Sequence, residues 1–221
     1  MAPIFKDRFD AGERLAKELT RYADRADAIV LGLPRGGVVV AFAVSEALRV
    51  PLDILVVRKL GVPGNEELAM GAIASGGAQV LNRDVIRWLG IADRVIESVA
   101  AREMRELKRR ERVLRGDRPR IDLRGKSVLL VDDGIATGAT MRAAVSALRA
   151  MEPGRVIVAA PVASPDVCAR LETEADELVC LSRVEPFGAV GSWYLDFPQV
   201  TDGEVRSLLQ RRSGGLGRTP S

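Results

Sequence analysis

Val128-Leu129-Leu130-Val131-Asp132-Asp133-Gly134-Ile135-Ala136-Thr137-Gly138-Ala139-Thr140 is the stretch whose reading decides the fold. Four apolar residues run straight into two carboxylates, and a helical pattern starts at Met141. The run Val128 to Val131 predicts a strand buried on both faces, as in a parallel sheet. Asp132 and Asp133 then sit at its carboxyl end, where open α/β sheets place ligands. Ala136 to Thr140 carry no bulk, offer two hydroxyls and open a helix. Such a loop can turn backbone N–H groups toward an anion, helped by the partial positive charge of the helix N-terminus. The chemistry is two-handed: acids for hydroxyls or a metal, N–H groups and hydroxyls for a phosphate. An acidic pair after a strand can also cap the next helix. Two adjacent acids exceed what a cap needs, and Asp133 lies too far before Met141 to cap it. A Walker A loop is excluded, because no Gly-Lys-Ser/Thr ending follows.

Two upstream stretches repeat the strand-then-loop logic. Ala28 to Leu33 reads as a buried strand ending in Pro34-Arg35-Gly36-Gly37, with a helix from Val38 to Leu48. Glycines there can turn N–H groups inward, and Arg35 adds a fixed fork of donors. An ordinary strand–helix turn has the same composition. Asp53 to Val57 reads as the next strand and delivers Arg58-Lys59-Leu60-Gly61. Two cations at a strand end suit a diphosphate; they also suit solvent.

The 128–140 segment resembles the phosphoribosyl-pyrophosphate (PRPP) motif of type I phosphoribosyltransferases: apolar strand, two acids, a short bridge, then Thr-Gly-x-Thr. The resemblance implies that Asp132 and Asp133 hold the ribose hydroxyls. It implies that Ala136, Thr137, Gly138, Ala139 and Thr140 bind the 5′-phosphate. Arg35-Gly36-Gly37 is similar to the family's pyrophosphate loop, and Arg58-Lys59 to the strand end before the mobile catalytic loop of adenine and orotate members. Glu66 and Glu67 fall in the stretch most like that loop and are candidates for acid/base work. Gly134 departs from the family pattern, where an aliphatic residue or Ser is more usual; it is expected to loosen the turn. Hypoxanthine/guanine-type members carry an acid at the place matching Ala136, so the chain looks more like the adenine or orotate pattern. Phe5 to Gly12 resembles the start of an uncharacterised bacterial branch of the family.

The resemblance implies an α/β, type I phosphoribosyltransferase fold: a five-stranded parallel sheet flanked by helices, with a small hood. Residues 1–211 are expected to form a single domain, with the hood drawn from roughly 1–25 and 183–211. The region 83–116 is expected to be a helical insertion and 212–221 a disordered tail. The implied reaction moves the 5-phosphoribosyl group from PRPP to a nitrogenous base or similar acceptor and releases pyrophosphate. A PRPP-binding regulator without turnover and a hydrolase of a phosphoribosyl compound remain alternatives.

Bulk properties narrow the chemistry. The chain has 221 residues, 47% of them hydrophobic, enough for one α/β domain with a real core. No apolar run approaches the roughly 18 residues of a membrane span, and the N-terminus lacks a signal-peptide core. The expected compartment is the cytoplasm. Histidine is absent, which removes Ser-His-Asp and Cys-His catalysis and imidazole metal sites. Cys168 and Cys180 form no Cys-x-x-Cys, so a zinc site is not expected. Any metal would be a hard cation on oxygen ligands: Mg2+, reached by Asp132 and Asp133 through substrate or water. The net charge of +3 does not demand nucleic acid, and no helix-turn-helix or zinc module is visible. A homodimer is left open.

Residues 102–120 hold nine Lys/Arg against four acids, a local +5. They read either as a solvated helix face, with Glu106 and Arg110 paired, or as a basic wall for a polyphosphate or RNA. Met70 to Asn82 alternates around Gly76-Gly77, suggesting a hairpin with a two-residue primed turn. Asp10 is a plausible helix N-cap with Glu13 as its partner. Phe187, Trp193, Tyr194 and Phe197 concentrate the aromatics near the carboxyl end. They read as a small accessory core or, for Phe187, Trp193 and Tyr194, as a stacking floor for a planar acceptor.

Overall fold

The computed structural model describes residues 4–215; within them, the side chains of Glu67 and of residues 213–215 lie outside what is described. The chain opens with α1 (Arg8–Glu18), β1 (Ala28–Gly32), α2 (Gly36–Leu48) and β2 (Leu52–Ile54). Then come β3 (Val57–Val62), β4 (Asn65–Ala74), β5 (Gln79–Leu81), α3 (Arg83–Leu89) and α4 (Asp93–Arg115). The second half holds β6 (Ser127–Val131), α5 (Ala139–Arg149), β7 (Arg155–Ala163), α6 (Pro165–Glu174), β8 (Glu177–Arg183) and α7 (Asp202–Gly215).

Five strands make one sheet in the order β2-β1-β6-β7-β8. Every neighbouring pair in it is parallel. All residues of β1 and β6 are buried, as expected of central strands covered on both faces. The side chains of β1, β6 and β7 alternate between two cores. Val30, Leu129, Val131 and Ile157 face α1, α2 and α7. Ile29, Leu31, Val128, Leu130 and Val158 face α5 and α6. The expected parallel sheet flanked by helices is therefore present.

The order contains one topological switch. From β1 the chain crosses through α2 to β2 on one side; from β6 it crosses through α5 to β7 on the other. The two crossings diverge at the carboxyl ends of β1 and β6, which leaves a crevice there. Both anion-type loops begin at that crevice.

Several local expectations change. The strand expected over Asp53 to Val57 is split: β2 ends at Ile54, and β3 joins a second, antiparallel sheet in the order β3-β4-β5. Ser75 fixes the break, its hydroxyl accepting from the Val56 N–H at 2.9 Å. Arg58 and Lys59 thus lie within a strand, not in a loop, and Glu66 and Glu67 lie in β4. The expected hairpin exists, but a three-residue turn, Ser75-Gly76-Gly77, connects it. Both glycines take positive φ, 90° and 84°, which a side chain would resist. Helix α1 is capped by Asp7, whose carboxylate accepts from the Asp10 N–H, not by Asp10.

Helix α4 is not a uniformly solvated face. Glu103, Glu111 and Arg115 are buried. Arg115 pairs with Asp53 and donates to the Ile54 carbonyl, closing the open edge of β2, while Glu111 holds Arg120 and Arg115. Glu106 pairs with Arg109 rather than with the expected Arg110. The tail expected from residue 212 is also revised: α7 continues through Gly215. Buried Arg212 donates to Ser45 Oγ at 2.7 Å and to the Val50 carbonyl at 3.0 Å, tying α7 to α2. Residues 216–221 lie outside the described residues. No helix among the described residues is long and apolar enough to cross a membrane.

Candidate active site

The central acids sit where β6 ends. The Asp132 carboxylate accepts from the Asp133 N–H at 2.9 Å. Burial, and then the charge of Asp133, pushes the Asp132 carboxyl well above its usual range. Burial also raises Asp133, opposed by its hydrogen bond from Arg8. Two poorly hydrated carboxylates side by side are held at a cost unless hydroxyls or a cation complete them.

The first turn of α2 packs onto these acids. A Cβ at Gly36 would overlap the Asp133 carboxylate, and one at Gly37 would lie 2.7 Å from Asp132 Oδ1. Both glycines are therefore demanded by close approach. The Pro34–Arg35 peptide is cis. Arg35 is 41% exposed and stands 3.8 Å from Asp202 at the start of α7.

Beyond the acids, Gly134 and Ile135 are buried, whereas Ala136, Thr137, Ala139 and Thr140 are exposed. Helix α5 starts at Ala139, two residues before the expected Met141, and Gly138 caps it in the left-handed region at φ 75°. No side chain of the cap residue bonds its first turn, and the Ala139 N–H is met by the Thr137 hydroxyl at 3.4 Å. Gly134 has a different reason from the one expected. A Cβ there would lie 2.5 Å from Val190 Cγ1 and 3.1 Å from Val162 Cγ1, so glycine admits the hood rather than loosening the turn.

Arg58 points its Nε and Nη2 at Glu103 on α4, at 2.9 and 2.6 Å. With Lys59, Glu66, Arg102 and Thr140 it lines a cavity of about 340 Å³. The second cationic stretch and the loop 136–140 thus meet, although they adjoin different sheets. The Glu67 side chain is outside the described residues, so its expected acid/base role has no geometry.

The aromatic cluster is chiefly packing. Trp193 and Tyr194 are each 4% exposed, and Phe187 is half-buried. The Trp193 Nε1–H donates to the Phe187 carbonyl at 3.0 Å. The Tyr194 ring lies 5.4 Å from Phe5 and 4.9 Å from Phe197. Its hydroxyl donates to the Asp133 carbonyl, and burial together with the Asp133 charge raises its pKa. These two rings present no free face to an acceptor; they fix the hood onto the acid turn.

One residue of the site, Arg8, lies in the Phe5–Gly12 stretch, which suggested no role for it. Arg8 Nε donates to Asp133 Oδ2 at 2.7 Å, and Nη1 donates to the Pro198 carbonyl at 2.8 Å. Its guanidinium lies 3.6 Å over the Phe197 ring. Arg8 is buried, so the hood and the acid pair share one cation. An arginine in the first turn of an amphipathic helix reads as solvated, and its partner is 125 residues away.

With this geometry in place, comparison with known proteins is decisive. A profile of the phosphoribosyl transferase domain matches residues 4–197. The chain belongs to that family. It is 47% identical over 208 residues to two Mycobacterium tuberculosis proteins, one from each of two strains, named provisionally as phosphoribosyl transferases. That match covers 94% of this chain and 47% of each relative, so the chain spans about half their length. The crystal structure of TT1426 from Thermus thermophilus superposes with a TM-score of 0.86 at 46% identity, covering 96% of this chain and 99% of that one. The AQ2163 protein of Aquifex aeolicus, at 14% identity and a TM-score of 0.50, shares the fold, over 85% of each chain.

As a phosphoribosyl transferase domain, the chain offers no ready-made metal cage. Among the described residues no group of three His, Cys, Asp or Glu side chains is gathered. Asp132 and Asp133 offer hard carboxylate oxygens, the donor type that suits a magnesium ion reached through water or substrate oxygens.

Proposed function

We propose that the chain binds PRPP across the β1/β6 crevice and transfers its 5-phosphoribosyl group to a nitrogenous acceptor. The observation that carries this reading is the contact of Gly36 and Gly37 with Asp133 and Asp132, with the open N-terminus of α5 directly beyond. That contact supports a diphosphate loop, a diol-binding acid pair and a phosphate loop around one space.

In the reaction, the bond from the anomeric carbon to the diphosphate oxygen breaks as an acceptor nitrogen bonds to that carbon. Positive charge builds on the sugar ring and negative charge on the diphosphate. Asp132 and Asp133 hold the ribose hydroxyls and bias the field toward the cationic carbon. The Gly36 and Gly37 N–H groups and Arg35 receive the departing negative charge, and Thr137 to Thr140 anchor the 5′-phosphate. Magnesium would be held by Asp132 and Asp133, through water or sugar oxygens, and would make the diphosphate a better leaving group. The proton that the acceptor nitrogen loses passes to solvent water. Ala136 offers no acid to a 6-oxopurine, which favours acceptors of the adenine or orotate type.

The test is pyrophosphate release from PRPP and magnesium in the presence of a panel of bases. Release that requires one base supports transfer. Release without any base indicates hydrolysis, and binding without release indicates a PRPP sensor.

A further inference from the structure

We propose that helix α4 forms a wall of the leaving-group site. Glu103 positions Arg58 and Arg102, and Arg102 contacts the diphosphate directly. This rests on the PRPP reading above.

The stripe that α4 buries runs Ile96, Val99, Glu103, Leu107, Glu111, Leu114. Glu103 therefore occupies a place where an apolar side chain would pack. A carboxylate there is costly unless paired, and it is paired twice. Oε2 accepts from Arg58 Nε and Nη2; Oε1 accepts from Arg102 Nε at 3.0 Å. The contact with Arg58 fastens α4 to β3. The contact with Arg102 fastens nothing, because the two residues are neighbours on one helix; its effect is to orient Arg102.

Both arginines engage Glu103 at its buried end and reach outward, the Arg58 side chain 35% and the Arg102 side chain 60% exposed. The space they reach is the 340 Å³ cavity, which also takes in Lys59, Glu66 and Thr140. Among the described lining side chains, the Glu103 carboxylate is already shared between the Arg58 and Arg102 guanidiniums, and Glu66 is the other carboxylate. Guanidinium forks match phosphate oxygens in geometry as well as charge. Thr140 belongs to the phosphate loop, so an anion in this cavity is continuous with the sugar-phosphate site.

Calorimetric titration of the full chain with inorganic pyrophosphate and magnesium, and separately with PRPP, tests this. Arg102→Ala is expected to weaken pyrophosphate binding about tenfold, ~1.4 kcal/mol, with an unchanged unfolding midpoint, and Arg102→Lys to recover part of it. Glu103→Gln is expected to weaken binding too, although it removes a negative charge; a purely electrostatic role predicts tighter binding. If Glu103→Gln fails to fold, Arg102→Ala decides alone, because its side chain is exposed. Unchanged or tighter pyrophosphate binding in the α4 variants, with PRPP binding still lost in Asp133→Asn, overturns this inference and leaves the PRPP reading standing. A wild-type chain that binds neither ligand overturns both.

Discussion

The acid pair and the cation pair both follow apolar runs in the sequence, yet they are built in opposite ways. Asp132 and Asp133 end the central strand of a parallel sheet, so the carboxyl end of β6 delivers them into the crevice. Arg58 and Lys59 lie inside an antiparallel strand, and a residue 45 positions away aims Arg58. The first arrangement follows from local sequence and sheet topology. The second depends on a tertiary contact with an inserted helix. A strand end next to a switch point carries its own geometry; a strand interior borrows it.

Breaking the acid side should have the larger effects. Arg8→Met leaves the half-buried Asp133 without its cation, and the expected loss is about 2–3 kcal/mol of stability, read by urea unfolding. An unchanged midpoint would show that the Arg8–Asp133 pair is not formed in solution. Gly36→Ala comes next, because the new methyl group must displace the Asp133 carboxylate. An overpacking cost of about 1–3 kcal/mol is expected in the same assay, together with loss of PRPP affinity.

Asp132→Asn sharpens the comparison through pH. Ionising a carboxyl whose folded-state pKa is raised costs stability. That cost is absent below the ordinary carboxylate value, grows as pH rises and is complete above the raised value. The variant should therefore melt above wild type at about pH 8 and level with it near pH 3.5, while losing function at both. A melting temperature equal to wild type at both values would contradict the burial of this acid. The smallest effect is expected at Arg35, whose partner Asp202 is half-exposed and 3.8 Å away. Arg35→Ala should change stability by no more than about 0.5 kcal/mol, yet weaken PRPP binding several-fold in a calorimetric titration.

The split between local and tertiary geometry also marks what the sequence discloses. The buried runs of β1 and β6, the acid pair, the glycine loop and the loop 136–140 all follow from local pattern. Their joint placement follows from the alternation of strands and helices. Three things were hidden for one reason. Arg8, Glu103 and Arg115 read as solvated charges on amphipathic helices, and only their distant partners, Asp133, Arg58 and Asp53, make them buried connectors. Trp193 and Tyr194 left two readings open, an accessory core or a ligand surface, and the core is what forms. A glycine-spaced aromatic run looks like a ligand surface, but the bridge from Phe5 to Tyr194 closes it into a core. Gly134 was visible as a departure, while its cause, Val190, lies 56 residues downstream.

The central claim is that Asp132 and Asp133 bind the ribose of PRPP. Titrating PRPP with magnesium into wild type and Asp133→Asn by calorimetry tests it most directly. The account predicts saturable binding by wild type and at least a tenfold loss in the variant, roughly 1.4 kcal/mol, with the variant still folded. Equal affinity in the two proteins would contradict it.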